Sequence, residues 1–490
     1  MVWGPAFKTK GTYSIIGDHN DFVYAFRYYK RDIFLEKIES EGMEVQFSLK
    51  LDLKSPDSKR NMAVEYTYLH EGNIVILASY YDKGDDRNFL KGIVINGEGD
   101  IVKDWLDLTS FEAKSKKNTG SFDVAISPNR ESLLIIANTP FAKKENEKYQ
   151  LFLYTAGLEK KWEKEFILPY SDAQTNIYDF AVDNNGVTHM LAAVFPETKK
   201  EKRAARKGKE DYRRQLLVTF SGEDEKITEY EIQLKNKTIL GTALRLDSSN
   251  NVILTGFYQD NLKKRSGLSG VFYTKIKAGD AEPEVINTHE FDNKFVEELI
   301  GERKAKKGQE ISATYVLRQI IPTEDGGAVL LAEQYYVVEH CSTNPKTGQR
   351  TCTYTYHYNS IIVVGVNNQG EIVWNSLIKK TSADGAYGYY LSFATFVQKD
   401  KIHVVFLDNK KNYNEFGERV EGKIKSVNVR KGVAAVATIS MNGAIDYSVL
   451  YDIKTDKVIM RPKIATQIND HSLIVLGMAK KKVRLGRINF

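Results

Sequence analysis

The feature that most constrains the fold is a four-part unit that repeats along the 490 residues. Each unit runs from an alternating segment through a polar turn into an apolar strand. A second apolar strand, a Gly/Asn turn and another alternating strand follow. In residues 176–234 the successive pieces read NIYDFAVD, NNG, VTHMLAAVF, QLLVTFS and ITEYEIQL. Asn-Gly between alternating runs is a strong hairpin signal, so each unit predicts four antiparallel strands, A to D.

The first turn of the unit recurs eight times, at intervals of 54 to 77 residues. These turns fall near Asp18, Gly72, Asn129, Asn185, Ser249, Gly326, Lys399 and Asn469. Second turns are clearest near Asn96, Asn367 and Met441. Repeated four-stranded units are typical of a β-propeller, in which each unit forms one blade. The sequence predicts an all-β propeller of eight blades, with seven blades or two tandem β-sandwiches as the alternatives.

The two ends of the chain favour eight blades. The last unit offers only three strands, ending in KVRLGRINF, whereas a spare segment, VWGPAFK, precedes the first unit. An unpaired edge strand invites aggregation, so a closed ring needs a partner for this edge. We predict that residues 2–8 pair with KVRLGRINF and that residues 1–490 form one propeller domain.

Long connections are predicted to gather on one face. Three of them join strands B and C: 197–214, 337–358 and 409–432. The fourth, 292–308, joins two units and has a helical pattern with Asp292 as N-cap and Gly301 as stop. Both classes of connection lie on the same face of a propeller. Long loops on one face of a rigid scaffold usually carry binding, so this is the predicted working face.

The net charge of +6 is concentrated in residues 197–214, which hold nine Lys and Arg against four Asp and Glu. A basic run can bind nucleic acid, but no aromatic residues are interleaved in the strongly basic part, and a solvated loop is expected. No window approaches 18 consecutive apolar residues, so no membrane span is predicted. The N-terminus lacks the basic and apolar regions of a signal peptide.

No local motif for metal or nucleophilic catalysis is present, since CxxC, HExxH, GxSxG, P-loop and GxGxxG are all absent. No cofactor or metal is therefore predicted. Glu333, in AVLLAEQYY, is the one candidate general acid, although a paired structural carboxylate is the commoner role. The leading hypothesis is a non-catalytic propeller for binding or assembly. A carbohydrate-active hydrolase or lyase with carboxylates at the channel mouth is the alternative.

Tyrosine is frequent, with 28 residues, and several pairs end the predicted B strands. Tyrosine combines a flat apolar ring with a polar tip and suits sugars, peptides and protein partners. Packing between blades is the alternative role. The candidate binding residues are Tyr335, Tyr336, Tyr354, Tyr356, Tyr387, Tyr389 and Tyr390.

The two cysteines, Cys341 and Cys352, flank the tip of a predicted hairpin. Paired strands place them opposite each other, so we predict a disulfide, with two reduced cysteines as the alternative. Disulfides persist outside the cytoplasm, so this pair indicates an extracytoplasmic protein.

Three segments resemble uncharacterised secreted or lipid-anchored propeller-like proteins of the Bacteroidetes. They are IIPTEDGGAVLLAEQYY (320–336), YNSIIVVGVNNQGEIVWNSLIKK (358–380) and GYYLSFATFVQKDKIHVVFLDNKKN (388–412). The matching features are the Asp325-Gly326-Gly327 turn, Glu333 to Tyr336, Gly370 and Trp374. The resemblance implies a propeller-like fold, an extracytoplasmic location and no assigned activity. We expect a monomer whose partner is an envelope protein or a glycan.

Overall fold

The computed structural model describes most of the chain. The described ranges are 1–7, 11–206, 213–222, 227–262, 267–283, 286–385, 388–420 and 422–490. Strand β1 (Val2–Trp3) opens the chain and belongs to the last of eight antiparallel sheets. Each sheet forms one blade, with strand A innermost and strand D outermost.

The strands of the first four blades follow in chain order. Blade 1 comprises β2 (Thr12–His19), β3 (Phe22–Tyr29), β4 (Asp32–Glu39) and β5 (Val45–Leu51). Blade 2 comprises β6 (Ala63–His70), β7 (Asn73–Asp82), β8 (Arg87–Ile95) and β9 (Ile101–Glu112). Blade 3 comprises β10 (Ser121–Ile126), β11 (Ser132–Asn138), β12 (Asn146–Thr155) and β13 (Lys160–Ser171). Blade 4 comprises β14 (Thr175–Val182), β15 (Thr188–Val194), β16 (Arg214–Phe220) and β17 (Ile227–Ile232).

The second half of the chain forms the other four blades. Blade 5 comprises β18 (Lys237–Leu246), β19 (Val252–Asp260), β20 (Gly270–Ile276) and β21 (Ile286–Glu290). Blade 6 comprises β22 (Tyr315–Pro322), β23 (Ala328–Thr343), β24 (Arg350–Val366) and β25 (Ile372–Ile378), with β26 (Ala383–Asp384) paired to β24. Blade 7 comprises β27 (Phe393–Val397), β28 (Lys401–Asp408), β29 (Val433–Ser440) and β30 (Ile445–Asp452). Blade 8 comprises β31 (Ile459–Met460), β32 (Thr466–Asn469), β33 (Ser472–Ala479), β34 (Lys482–Asn489) and β1.

Helices are short and lie in the connections. They are α1 (Lys199–Arg206), α2 (Asn293–Ile300), α3 (Glu302–Ala305), α4 (Ile453–Asp456) and the 3-10 helices η1 (Lys410–Asn412) and η2 (Pro462–Ile464). Asp292 caps α2, since its carboxylate accepts the backbone N–H of Phe295 at 2.8 Å. Residues 337–358 continue β23 and β24 as one long hairpin, whereas 409–432 carries η1 and otherwise no helix or strand in its described part.

The predicted eight-bladed propeller is confirmed, and the predicted turns fall between its strands. The innermost strands β2, β6, β10, β14, β18 and β22 contact one another in order, and β32 contacts both β27 and β2. All eight predicted first turns lie at A–B turns, and the turns near Asn96, Asn367 and Met441 join strands C and D. The seven-blade and tandem-sandwich alternatives are therefore wrong.

Apolar alternation explains why the blades stack. In β11, Leu133 and Ile135 pack on blade 2, whereas Leu134 and Ile136 pack on blade 4. Successive side chains of a strand point to opposite faces, so one apolar strand fills two interfaces. The same arrangement yields one buried apolar cluster at each of the eight junctions between blades.

The ring closes as predicted within blade 8. Val2 pairs with Arg487 and Trp3 with Gly486, and Phe7 forms a further bridge to Val483. Of the predicted segment 2–8, residue 8 lies outside the described residues. The indole of Trp3 packs edge-on against Tyr451 with ring centres 5.7 Å apart. Gly486 is required beneath it, because a Cβ there would lie 2.6 Å from the indole.

Removing the closing strand should destabilise the whole ring. We expect deletion of residues 1–7 to lower the melting temperature and promote aggregation, because β34 becomes an exposed edge. Trp3→Ala should cost about 3 kcal/mol through lost packing. Differential scanning calorimetry measures both effects. Val373→Ala, at an exposed position of the outer strand β25, is the control. A deletion variant that melts like the full chain would contradict closure by β1.

Candidate functional site

The two ends of the propeller differ in the length of their connections. A–B and C–D turns are short, whereas B–C loops and D–A connections carry every helix and long excursion in the described residues. Because adjacent strands are antiparallel, these longer connections all emerge at one end. We call this end the loop face. It surrounds one mouth of the central channel.

Glu333 is a buried carboxylate in blade 6, beneath the loop face. Its side chain is fully buried near the point where β23 leaves the blade. Lys380 Nζ lies 2.7 Å from one carboxylate oxygen, and Ser392 Oγ donates to the other at 2.6 Å. Burial lowers the pKa of Lys380, while the charge of Glu333 acts against that shift. A carboxylate engaged in this way is a structural anchor, which is the commoner of the two roles expected for it.

Arg318 lies on the channel side of this anchor. A β-bulge between Leu317 and Gln319 displaces Arg318 from the regular ladder of the innermost strand β22. Bulges re-aim side chains and recur next to functional sites. The guanidinium reaches Glu333 only at 3.3 Å, and it lies 5.4 Å from the ring centre of Tyr335. Since Lys380 already neutralises Glu333, the charge of Arg318 is in excess.

Lys463 adds a second uncompensated cation at the same mouth. It follows Pro462 in η2, and its Nζ donates to the hydroxyl of Tyr358 at 2.7 Å. Within the described residues no carboxylate lies within 4 Å of this nitrogen. Burial lowers the pKa of Lys463, with Glu333 opposing the shift and Arg318 adding to it. The mouth therefore carries a positive potential.

A cavity of about 360 Å³ joins these groups. It lies between the innermost strands of blades 6 and 7 and the entry to blade 8. Its lining combines cations, amides and apolar surface: Arg318, Gln319, Ser392, Phe393, Thr395, Pro462, Lys463 and Gln467. Ser392 holds a left-handed backbone, φ +74°, which is costly for a residue other than glycine. Such strain is typical of positions where a side chain must be held in place.

The predicted tyrosines divide into two groups. Tyr335 packs against Tyr358 with ring centres 4.8 Å apart, and both rings lie beside Arg318, which lines the cavity. The ring centre of Tyr389 lies 5.0 Å from the guanidinium of Arg461, and neither of these two residues lines the cavity. Tyr390 instead packs into the apolar cluster between blades 7 and 8. Gly388, with φ +63°, is required beside Tyr358, because a Cβ there would lie 2.6 Å from the ring.

The remaining predicted tyrosines follow the hairpin outward. Tyr336 stacks on His357 with ring centres 4.5 Å apart, and the half-exposed Tyr354 donates to Glu339 at 2.9 Å. Tyr356 is partly buried opposite Val337. Tyr387 lies outside the described residues. The seven residues therefore do not form one contiguous patch.

The hairpin tip contains the predicted disulfide. Cys341 and Cys352 are directly opposed in the β23–β24 ladder and are bonded to each other. The tip beyond Val337 is largely exposed, so the disulfide holds together strands that no second layer covers. The disulfide supports an extracytoplasmic location.

Sequence reasoning missed Arg318, Tyr358 and Lys463 as a group. Arg318 is the one charged residue in the otherwise largely apolar strand YVLRQIIP, and this interruption was the available signal. Three exposed apolar side chains on different B–C loops were also missed: Phe141, Leu262 and Phe416. An isolated apolar residue in a polar loop carries no recognisable pattern.

Carboxyl groups collect on the opposite side of the loop face, in blade 3. Burial raises the pKa of Asp123, on the innermost strand β10. Burial and a hydrogen bond with Asp172 raise the pKa of Glu147 to about 7. Tyr149 also hydrogen-bonds to Glu147. The enzymatic alternative requires carboxylates at the channel mouth. These groups in blade 3 are the candidates for that role.

Comparison with solved structures finds only distant similarity. The Dos1 propeller aligns over 99% of this chain and 94% of its own, with 9% identity and a TM-score of 0.45. The uncharacterised protein lmo1340 of Listeria monocytogenes aligns over 88% of this chain and 94% of its own, with 8% identity and a TM-score of 0.38. The polysaccharide lyase Uly1 aligns over 89% and 93%, with 12% identity and a TM-score of 0.37. No family model and no curated protein matches the sequence.

Across the described ranges, no helix has the length and apolar character needed to cross a membrane.

Removing the disulfide should loosen the hairpin without unfolding the blades. We expect Cys341→Ser with Cys352→Ser to speed amide hydrogen exchange in residues 338–355, because loop closure contributes about 2–3 kcal/mol. The global melting temperature should stay unchanged, since the tip is largely exposed. Wild-type protein treated with dithiothreitol is the matched control. Exchange as slow as in the oxidised protein would show that the disulfide does not order the hairpin.

Removing the buried cation should destabilise the fold. We expect Lys380→Met to cost about 3 kcal/mol in urea unfolding, because Glu333 loses its closest cation. Adding Glu333→Gln to this variant should recover part of the loss, since no buried carboxylate then needs a cation. Lys306→Met, at an exposed helical ion pair, is the control. A Lys380→Met midpoint equal to wild type would contradict the proposed anchor.

Proposed function

We propose that this protein is a non-catalytic, extracytoplasmic β-propeller that binds a ligand or partner on its loop face. The cavity of about 360 Å³ at the channel mouth carries the proposal, because it is concave and joins the apolar surface of Phe393 and Pro462 to the cations Arg318 and Lys463. Concave sites that join apolar surface to a few convergent polar groups are the usual sites of recognition. The proposed contacts are Tyr335, Tyr336, Tyr354, Tyr356, Tyr387, Tyr389 and Tyr390.

Exposed tyrosines elsewhere on the loop face support binding rather than mere capping. Tyr354 is 48% exposed and Tyr389 is 49% exposed. Large aromatic residues that remain accessible are frequent anchors of binding energy. In contrast, residues 409–420 fold back on blade 7, where Asn412 and Tyr413 both donate to the buried Asp408. That loop is a scaffold for the face rather than a contact surface.

An envelope protein or a glycan of a Bacteroidetes cell is the proposed partner. The Cys341–Cys352 disulfide supports a periplasmic or cell-surface location, because cytosolic reductants keep thiols reduced. The resemblance of residues 320–412 to secreted propeller-like proteins supports the same compartment. The protein is proposed to act as a monomer and without a cofactor.

Substitution of exposed tyrosines should weaken binding without affecting stability. A glycan array and a native envelope fraction identify the ligand, and calorimetry then measures its affinity. We expect Tyr354→Ala and Tyr389→Ala each to cost about 2 kcal/mol of binding energy while leaving the melting temperature unchanged. Ile101→Ala, at an exposed apolar position on the opposite end of the propeller, is the control. Loss of binding only in Ile101→Ala would show that the site lies at the opposite end of the propeller, and this would contradict the proposal.

A carbohydrate-active hydrolase or lyase is the second candidate function. It is favoured by Glu147 in blade 3, whose pKa is raised to about 7 and suits a proton donor near neutral pH. Burial also raises the pKa of the neighbouring Asp123. Catalysis would release new chain ends from a bound glycan, and Asp123→Asn or Glu147→Gln would abolish the release. Binding of a glycan without release of new chain ends would support the non-catalytic proposal.

A further inference from the structure

We propose that the cavity between blades 6, 7 and 8 binds an anionic sugar of a glycan, with Arg318 and Lys463 holding its carboxylate or sulfate group. This inference rests on the proposed binding function and names the ligand class. It concerns the lining of the cavity, whereas the proposed tyrosine contacts lie elsewhere on the loop face.

The charge balance of the cavity is the first argument. Arg318, Lys380 and Lys463 surround Glu333, which is fully buried and held by Lys380 at 2.7 Å. The other carboxylate that acts on Lys380, Asp408, has its own cation in Arg419. Arg318 lies farther from that carboxylate, at 3.3 Å, and keeps about a third of its side chain exposed. A site with two excess cations is stabilised by an anion, because charge-assisted hydrogen bonds are the stronger ones.

The position of Lys463 is the second argument. Its ammonium group contacts the hydroxyl of Tyr358 and lies 4.2 Å from the centre of that ring. The side chain stays exposed at the mouth of the cavity, so its charge is accessible to a ligand. An anion placed between Lys463 and Arg318 could contact both cations. Positively charged groups held ready in this way are typical of preorganised anion sites.

The rest of the lining fits a sugar better than a bare ion. Phe393 and Pro462 present apolar surface, which suits the C–H face of a sugar ring. Thr395 donates to the side-chain oxygen of Gln319 at 2.5 Å, which leaves the NH₂ group of Gln319 as a donor for hydroxyl groups. The volume suits a short stretch of glycan rather than a folded protein.

A second groove extends the positive surface across the loop face. It measures about 1050 Å³ and lies between blades 1, 2 and 3. Its lining includes Arg31, Lys83, Lys114 and Lys116, together with Tyr80 and Tyr81. Two cationic depressions on one face suit a repeating anionic chain, because such a chain can contact both at once.

Calorimetric titration of the full chain tests the proposal with matched probes. The probes are a galacturonate oligosaccharide, its carboxyl-reduced counterpart, a sulfated neutral oligosaccharide, a poly-glutamate peptide and an oligonucleotide, all of similar length. We expect the galacturonate or the sulfated oligosaccharide to bind at least tenfold more tightly than the carboxyl-reduced one. Whichever of these two oligosaccharides binds more tightly identifies the preferred anionic group as carboxylate or sulfate. Raising the salt concentration should weaken binding.

Variants assign the binding to this cavity. Lys463→Met and Arg318→Gln should each weaken binding about tenfold or more, whereas Lys399→Met, at an exposed lysine on the opposite end, should not. Lys463 is accessible and has no ion pair in the described residues, so its variant should fold normally even where Arg318→Gln is destabilised.

Three outcomes would overturn the inference: no preference for anionic over neutral sugar, tighter binding of the peptide or oligonucleotide, or full affinity in Lys463→Met. The proposed function fails separately, if Tyr354→Ala and Tyr389→Ala leave all binding unchanged.

Discussion

The rest of the structure depends on the burial of both faces of every sheet. The B strands of blades 2, 3 and 4 are apolar and buried on both sides, so each of these blades needs a neighbour on either side. An open row of blades would always leave one apolar face exposed at each end. Eight apolar junctions remove that exposure only when blade 8 meets blade 1. Strand β1 contributes only two residues, but these complete the sheet of blade 8 and so close the ring.

Polar interactions accumulate where the regular repeat is interrupted. Bulges displace Glu65, Tyr178 and Arg318 on the innermost strands of blades 2, 4 and 6. The same type of irregularity displaces the apolar residues Ile16 and Leu240 in blades 1 and 5. The same type of bulge thus recurs in these five blades, and the residue placed in it decides which side chain the innermost strand presents. At blade 6 that residue is a cation beside a buried ion pair.

The sequence predicts local features well because hairpins are local. Turn chemistry and alternation indicated the blades, and register alone placed Cys341 opposite Cys352. The site was less predictable because its members come from different blades. Arg318 and Lys463 lie close together only because the ring of blades curves. The spacing of residues along the sequence does not show this proximity. Tyr335 and Tyr336 were predicted to end a strand but lie in the middle of β23, because the hairpin continues the ladder to Thr343. The packing of Tyr390 depends on partners in blades 7 and 8, which no local pattern shows.

The shared last blade has a consequence for the order of folding. Blade 8 combines β1, from the start of the chain, with β32 to β34, from its end. Blades 1 to 7 each draw on one continuous stretch, and their contacts form as the chain emerges. The final blade can form only after β34 has been synthesised. Its assembly brings together residues more than 480 positions apart, a loop closure whose entropic cost falls when the intervening blades are already folded.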